Sequence, residues 1–439
     1  MRGGIDRDQA TPAAYPDALT CNRCGLCLSV CPTYQEEWVE TSSPRGRLNL
    51  LRAWQRGGLA MTPNLYEQIY RCLGCQACTE ICPGGVVVDR LIFQSRAKMK
   101  RRGLVAGLRR AIISSLSLTS LRLRLAVWLL RGYQRLGLPA LVRKTPLHRW
   151  LLAGIASAER ALPDIGRRPL RERLPEVLEH QGEWRGRVGY FIGCAQNFLL
   201  PDVGEATARV LQHLGYDVVM PRGTVCCGMP ALGYGEVDIW RGLARHNIGQ
   251  FTGVDAIITD CATCGHTLRE YGAGLAADDA GAADFSARVR DINEFLVGQG
   301  PLPLKQRLEG TVTYHDPCHL GRGQGIRSAP RELLRAIPGL GYVELPEADR
   351  CCGGGGSYLV THPELSQAIL RRKMENIRAT GADTVATSCP GCLLQLRLGV
   401  ALFAPGLRVV YPVQLVAESM GLIPGGVLTN RSPGVIIRP

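Results

Sequence analysis

Cys21-Asn22-Arg23-Cys24-Gly25-Leu26-Cys27-Leu28-Ser29-Val30-Cys31-Pro32 is the stretch on which the reading of this chain turns. Three cysteines recur at every third position, a fourth follows after three further residues, and a proline closes the run. The same order returns as Cys72-Leu73-Gly74-Cys75-Gln76-Ala77-Cys78-Thr79-Glu80-Ile81-Cys82-Pro83. The chain has 439 residues and 18 cysteines. Disulfide frameworks belong to short secreted domains that cannot bury a sufficient core, and a chain of this length does not need one. The first residues include Arg2, Asp6, Arg7, Asp8 and Asp17 without a continuous apolar stretch, so no secretory signal is expected there. The thiols are expected in a reducing cytoplasm.

The spacing C-x2-C-x2-C-x3-C-P is that of bacterial two-cluster ferredoxins, where three close thiolates wrap one cube and the fourth reaches across to the other. Cys21, Cys24, Cys27 and Cys82 are thereby assigned to one cubane [4Fe-4S] cluster. Cys72, Cys75, Cys78 and Cys31 are assigned to a second. Zinc sites usually close with two separated pairs, which this run is not. Between the runs, Pro44-Arg45-Gly46-Arg47-Leu48-Asn49-Leu50-Leu51, continuing through Trp54, spaces its apolar positions as on a helix. Residues 1–100 are therefore expected to form a helical ferredoxin-like domain with cysteine loops between helices. Its Pro-Arg-Gly-Arg segment reads either as a basic turn entering the helix or as compensation for cluster charge.

The remaining cysteines form an internal duplication. Cys194, Cys226-Cys227-Gly228 and Cys261-x2-Cys264 make one copy; Cys318, Cys351-Cys352-Gly353 and Cys389-x2-Cys392 make the other, displaced by 124, 125 and 128 residues. In each copy a short apolar strand leads to the first cysteine: Val188–Ile192 before Cys194, Thr311–Tyr314 before Cys318. Helical periodicity follows at Glu205–Leu214 and Pro330–Ile337, then strands at Asp217–Met220 and Tyr342–Leu345. Two duplicated α/β domains are expected, at 187–310 and 311–439, with cysteines at strand ends, where open α/β sheets place ligands. The fold class is α+β multidomain. Glycine beside a cysteine pair leaves room for a bulky cofactor. Gly353–Gly356 has neither a GxGxxG order nor a following Lys-Ser/Thr, which argues against a nucleotide there.

From Arg90 to Ala158 the chain has fifteen Lys or Arg and no acidic residue, against a formal net charge of +14 overall. Apolar runs interleave with the arginines, as in Leu121 to Arg131. Residues 101–186 are expected to be a basic amphipathic helical linker, suited to an anionic membrane surface or a membrane subunit. An ordinary linker packed on its own domain is the other reading. The arginines interrupt every candidate span, so the chain is expected on the inner face of the membrane rather than across it. No helix-turn-helix or aromatic-rich element accompanies the charge, which excludes nucleic acid as the expected partner.

These residues resemble the CCG-domain proteins, typified by the iron-sulfur subunit of glycolate oxidase and the heterodisulfide reductase catalytic subunit, over about residues 18 to 420. Cys21 to Tyr34 with Pro44-Arg45-Gly46-Arg47 look like the glycolate oxidase subunit, as does Cys72 to Cys78. Gly84 stands where a Ser is more usual. His315-Asp316-Pro317-Cys318-His319 is shared with the iron-sulfur subunit of anaerobic glycerol-3-phosphate dehydrogenase. Many glycolate oxidase subunits lack a thiol at the place of Cys261, whereas heterodisulfide reductase subunits have complete sets. The resemblance implies that Cys194, Cys226, Cys227, Cys261 and Cys264 could hold one non-cubane [4Fe-4S] cluster, and Cys318, Cys351, Cys352, Cys389 and Cys392 another. It implies an electron-transfer subunit that takes electrons from a FAD-containing hydroxy-acid (glycolate or D-lactate) dehydrogenase and passes them to a membrane quinone or other membrane acceptor. The alternatives it implies are a heterodisulfide reductase-like subunit reducing a disulfide at a non-cubane cluster, or the iron-sulfur subunit of an anaerobic glycerol-3-phosphate dehydrogenase. No residue is assigned a catalytic role; His315 and His319 read as proton donors or as hydrogen bonders beside the cluster loops.

Overall fold

The computed structural model describes residues 20–99, 104–118, 120–137, 168–275, 279 and 281–424. The N-terminal signal reading, residues 138–158 of the basic segment and the end of the second repeat from 425 lie outside them.

In the N-terminal domain, α1 (Pro32–Glu37), α2 (Pro44–Gln55) and α3 (Pro63–Tyr70) each begin with proline, whose missing N–H costs nothing at a helix start. Ser43 Oγ accepts from Gly46 N at 2.9 Å and Thr62 Oγ1 from Leu65 N at 3.2 Å, capping α2 and α3. With α4 (Ala77–Glu80) and α5 (Val88–Lys98) they close around Leu48, Leu51, Leu65, Ile69, Val86 and Ile92. This is the helical domain the cysteine spacing predicts; most of its cysteines lie in the loops, but Cys78 lies within α4 and Cys27 in a single 3-10 turn, Leu26–Leu28.

The basic segment forms α6 (Leu104–Leu118) and α7 (Ser120–Arg135). Buried Ile113 and the pairing of Arg110 with Glu236 and Asp238 fix α6 to the first repeat, and α7 packs on α6. Arg124 pairs with Glu172. Among the described residues no helix is long and apolar enough to cross a membrane.

The repeats build two sheets. The first holds β1 (Val177–Leu178), β2 (Gly186–Tyr190), β3 (Tyr216–Val219), β4 (Ala256–Thr259) and β5 (Val289–Asp291) in the order β1-β3-β2-β4-β5, parallel except for β1. The second holds β6 (Gly310–Tyr314), β7 (Leu340–Tyr342), β8 (Thr384–Ala386) and β9 (Arg408–Val410) in the order β7-β6-β8-β9, all parallel. Without β1 the two orders coincide. The registers coincide too: Gly186 faces Tyr216 as Gly310 faces Leu340, and Val188 faces Ala256 as Val312 faces Thr384.

The duplicated halves also share one apolar core, from Val188 and Tyr190 through to Val312 and Tyr314. Their packing is reciprocal. Helix Pro201–His213 of the first half lies on Pro412–Ser419 of the second, and Ile292–Val297 lies on Ser328–Ala336. That is the exchange of equivalent contacts a local two-fold axis produces. One strand differs from expectation. β7 lies at 340–342 rather than 342–345, because Glu344 turns out to Arg331, at 2.7 Å, and the ladder ends with Val343 N donating to Val312 O.

Asp291 ends β5 and caps the following helix, its Oδ1 accepting from Asn293 N at 2.9 Å and Nδ2 at 2.8 Å. Burial pushes its carboxyl up to about 7, against an unfolded value of about 3.9. Between those values the folded chain keeps a proton that the unfolded chain has lost, so stability falls as pH rises through the window and levels off above it. Asp291→Asn keeps the acceptor and removes the charge. It should flatten the decline between about pH 4 and about pH 7 in urea unfolding; an unchanged slope in the variant would contradict the assignment.

Candidate metal centres

Each repeat sets its cysteines at the same places of the fold, past the C-terminal ends of parallel strands. Cys194 and Cys318 are the first residues of the helices after β2 and β6, while Cys261 and Cys389 cap the helices after β4 and β8. Backbone N–H groups at helix starts suit a thiolate, and Cys264 N donates to Cys261 Sγ at 3.3 Å. The Cys-Cys-Gly turns match as well: Gly228 N donates to Cys226 Sγ and Gly353 N to Cys351 Sγ, each at 3.4 Å.

The protein itself supplies a reason for glycine in these turns. Gly228 and Gly353 have φ of 90° and 82°. A Cβ there would stand 2.6 Å from Trp240 Cδ1 or from Ser366 O, so the surrounding protein already excludes a side chain. Gly355 serves the domain contact, for its absent Cβ would meet Leu73 Cδ2 of the ferredoxin-like domain at 2.6 Å.

Within the ferredoxin-like domain a cavity is walled by Cys31, Cys72, Cys75 and Cys78 together with Thr33, Arg47 and Gln76. Cys27 has Cys21, Cys24 and Cys31 as its thiol neighbours. Cys82 lies in the same apolar cluster as Cys21, its Sγ accepting from Val86 N at 3.4 Å. All 18 cysteines are free thiols, and only Cys24 and Cys194 are exposed. Four sets of soft sulfur donors, most of them withdrawn from water, suit iron-sulfur groups.

The sets touch. Cys75 meets Cys351, which joins the ferredoxin-like domain to the second repeat, and Cys389 meets Cys261, which joins the second repeat to the first. Within the second repeat Cys351, Cys352, Cys392 and Cys389 contact one another in succession; within the first, Cys261, Cys264, Cys227, Cys226 and Cys194 do so. Hydrogen bonds hold these junctions together, with Gln324 Nε2 donating to Ala262 O at 2.9 Å, Asn293 Nδ2 to Ser388 Oγ at 3.1 Å, and Arg90 pairing with Glu270 at 2.6 Å.

Burial, opposed by Arg47 and Arg96, raises the Cys72 thiol, and burial with its neighbours raises Cys78 and Cys318. Thiolate ligands in such places need positive charge nearby. Each set has it. Arg45 stands by Cys27, Arg47 and Arg96 by Cys72, Arg322 by Cys75 and Cys318, Lys373 by Cys351 and Cys352, and Arg171 by Cys194. Arg47 donates to Gln68 O and Thr33 Oγ1; the Pro-Arg-Gly-Arg segment is the start of a helix with Pro44, Gly46 and Arg47 buried, and its arginines stand beside cysteines. Lys373 is fully buried, its Nζ donating to the Glu347 and Ala348 carbonyls, and burial lowers it to about 8. Sequence reading passed over it, although it sits on the apolar stripe of Ile369, Met374 and Ile377, where a lysine is out of place.

His319 and His266 stack at 4.9 Å between the repeats, with Gln76 of the ferredoxin-like domain 3.0 Å from His266 Nε2. His319 Nδ1 is 3.2 Å from Thr263 Oγ1. Burial lowers His315 to about 3 and His319 to about 4, so both are neutral. Neutral rings do not serve as ready proton donors near pH 7.

Comparison with known proteins agrees with this arrangement. Residues 188–269 and 312–397 match the cysteine-rich (CCG) domain family, and 17–86 match the 4Fe-4S dicluster domain. Residues 105–162 match the linker region of the glycolate oxidase iron-sulfur subunit. A probable glycolate oxidase iron-sulfur subunit of Bacillus subtilis (strain 168) is 35% identical, with 92% of this chain and 94% of that protein covered. This chain belongs to the glycolate oxidase iron-sulfur subunit family. The family's Escherichia coli (strain K12) member, a glycolate oxidase iron-sulfur subunit, is 30% identical over 86% of this chain and 89% of its own. One subunit of the fumarate reductase (CoM/CoB) of Methanothermobacter marburgensis is 32% identical over 90% of this chain and 71% of its own. The fold alone is shared with a hypothetical protein from Helicobacter pylori, at a TM-score of 0.54 and 9% identity over 88% of this chain and 69% of that one. As a member of this family, the chain is an iron-sulfur electron-transfer protein.

Removing a buried cation beside such a centre disfavours the added electron by on the order of 1–2 kcal/mol, which is tens of millivolts for one electron. Lys373→Met should therefore lower the midpoint potential of one centre and leave the others in place in an anaerobic redox titration followed by EPR. A uniform shift, or none, would show that Lys373 does not act on the second repeat's cysteines.

Proposed function

We propose that this chain relays electrons from a FAD-containing dehydrogenase of a 2-hydroxy acid, glycolate or D-lactate, to a membrane acceptor such as a quinone. The observation that supports it most is the unbroken succession of cysteine contacts from Cys75 to Cys194 across both domain junctions. In this reading Cys21, Cys24, Cys27 and Cys82 hold one cubane cluster, and Cys31, Cys72, Cys75 and Cys78 hold the other. Cys318, Cys351, Cys352, Cys389 and Cys392 hold a non-cubane cluster in the second repeat, as Cys194, Cys226, Cys227, Cys261 and Cys264 do in the first. The clusters supply the electron carriers. The chain's own residues hold them at fixed spacing, donate N–H groups to sulfur and balance charge, which sets potential. In this reading electrons enter and leave at the two ends of the series, the Cys21 set and the first repeat.

Disulfide reduction is the second reading, favoured by the completeness of both five-cysteine sets. Isolation with a hydroxy-acid flavoprotein supports the first reading; isolation with a haem b membrane protein and thiol-disulfide activity supports the second. About sixteen iron atoms per chain are expected, four for each set. About eight would show both repeats empty, on the same count. The isolated chain should not be bleached by glycolate or D-lactate until the flavoprotein is added, and bleaching without it would contradict the division of labour.

Membrane docking through α7 belongs to the same proposal. Leu123, Val127 and Leu130 lie on the half-buried side of α7, while Leu121, Leu125, Trp128 and Leu129 are exposed on the other, with Leu108 and Ile112 of α6 exposed too. The outward face is thus apolar as well as basic, Arg122 and Arg135 standing within it. An anionic surface would receive both features. Leu125→Glu with Trp128→Glu should abolish sedimentation with vesicles containing anionic lipid and leave cluster absorption intact. Undiminished sedimentation would mean that α7 does not carry the contact.

A further inference from the structure

His315 follows β6 directly and is 1% exposed. Its backbone N–H donates to Ala386 O at 2.9 Å, which extends the pairing of β6 with β8 and fixes the residue at the strand end. The ring approaches the Ala348 carbonyl, but neither ring nitrogen makes a hydrogen bond of good geometry. The Ala348 carbonyl nearby is already taken by Asp316 N at 3.1 Å and Lys373 Nζ at 3.3 Å. A ring nitrogen of His315 and the Sγ atoms of Cys352 and Cys392 all lie within 4.8 Å of one another. A buried imidazole without a well-formed hydrogen bond is costly to keep unless something engages its lone pair.

The first repeat shows what the fold itself requires at that place. Phe191 N donates to Ile258 O at 2.9 Å, the same bond from the same end of the equivalent strand, and the phenyl ring is fully buried. It packs against Phe251 at 6.0 Å between ring centres. A hydrocarbon ring therefore satisfies the packing. The second repeat has instead a ring of similar size with a donor atom turned to two of its five cysteines.

We propose that His315 is an additional protein ligand of the iron-sulfur group in the second repeat, so that this centre has mixed thiolate and imidazole donors while the first repeat's is thiolate alone. The inference rests on the reading that the second repeat holds such a group. It makes the duplicated centres chemically unlike. In [2Fe-2S] proteins imidazole in place of thiolate raises the reduction potential; here the imidazole adds to the thiolates without changing the charge of the centre, and exchanging it for a thiolate would lower the potential.

The test uses the full-length chain, loaded with iron anaerobically and labelled with 15N-histidine, examined by pulsed EPR. All other ligand positions are cysteines, so a strongly coupled nitrogen that changes with the isotope is expected from His315 alone. His315→Phe, which installs the first repeat's own residue, should remove it with the iron count unchanged. His315→Cys, in case the phenyl variant does not fold, should remove it and lower the potential of one centre. No strongly coupled nitrogen in a parent chain carrying about sixteen irons, or one that persists in His315→Phe, would overturn the proposal. A second repeat without iron would overturn the underlying reading and the proposal with it, and the iron count distinguishes the two failures.

Discussion

Cys261 and Cys389 occupy the same position in two copies of one fold, and they touch. Equivalent residues can meet only on the axis that relates the copies. The reciprocal packing of helices around that axis, the shared apolar core and the matching strand registers together hold the two sets of cysteines edge to edge. A chain of tandem domains with separate cores would leave them apart. The shared core therefore explains why the duplication yields neighbouring centres and not two distant ones.

The second requirement is electrostatic. Thiols gathered at this density resist ionisation, and an added electron increases the negative charge further. Buried Arg47, Arg96, Arg322 and Lys373 answer that locally, while the linker's Arg109 and Arg110 are taken up by Tyr66 and by Glu236 and Asp238, and Arg124 by Glu172. The basic character of the chain thus divides into buried cations beside cysteines, arginines of α6 that fasten it to its neighbours, and exposed arginines on α7. The two halves of the duplication diverge most where this balance is set: the second has His315, His319 and Lys373 around its cysteines, and the first has Phe191 and Ala195 at the places of the two histidines.

Local signals made much of this legible from residues alone. Cysteine spacing marked the helical domain, and the constant displacement of five cysteines marked the duplicated α/β fold before any strand pairing was known. Helix Pro44–Gln55 and strands 186–190 and 310–314 lie close to where periodicity put them. What stayed hidden depends on contacts between residues distant in sequence. The meeting of Cys75 with Cys351 and of Cys261 with Cys389 requires the docking of whole domains. Gly228 and Gly353 serve backbone conformation and packing against Trp240 and Ser366, which no turn motif reveals. The outward apolar face of α7 was hidden for the same reason, since periodicity shows that a helix has two faces but not which one finds a partner.

The central claim is that the centres form one connected series, with the second repeat between the ferredoxin-like domain and the first repeat. Partial anaerobic reduction followed by EPR tests it most directly, because paramagnetic centres in adjacent sites split and broaden each other's spectra. The account predicts that reducing the second repeat's centre perturbs the signals of both the Cys72 set and the first repeat, while the Cys21 set and the first repeat do not perturb each other. Four magnetically isolated signals, or direct coupling between the Cys21 set and the first repeat, would contradict it.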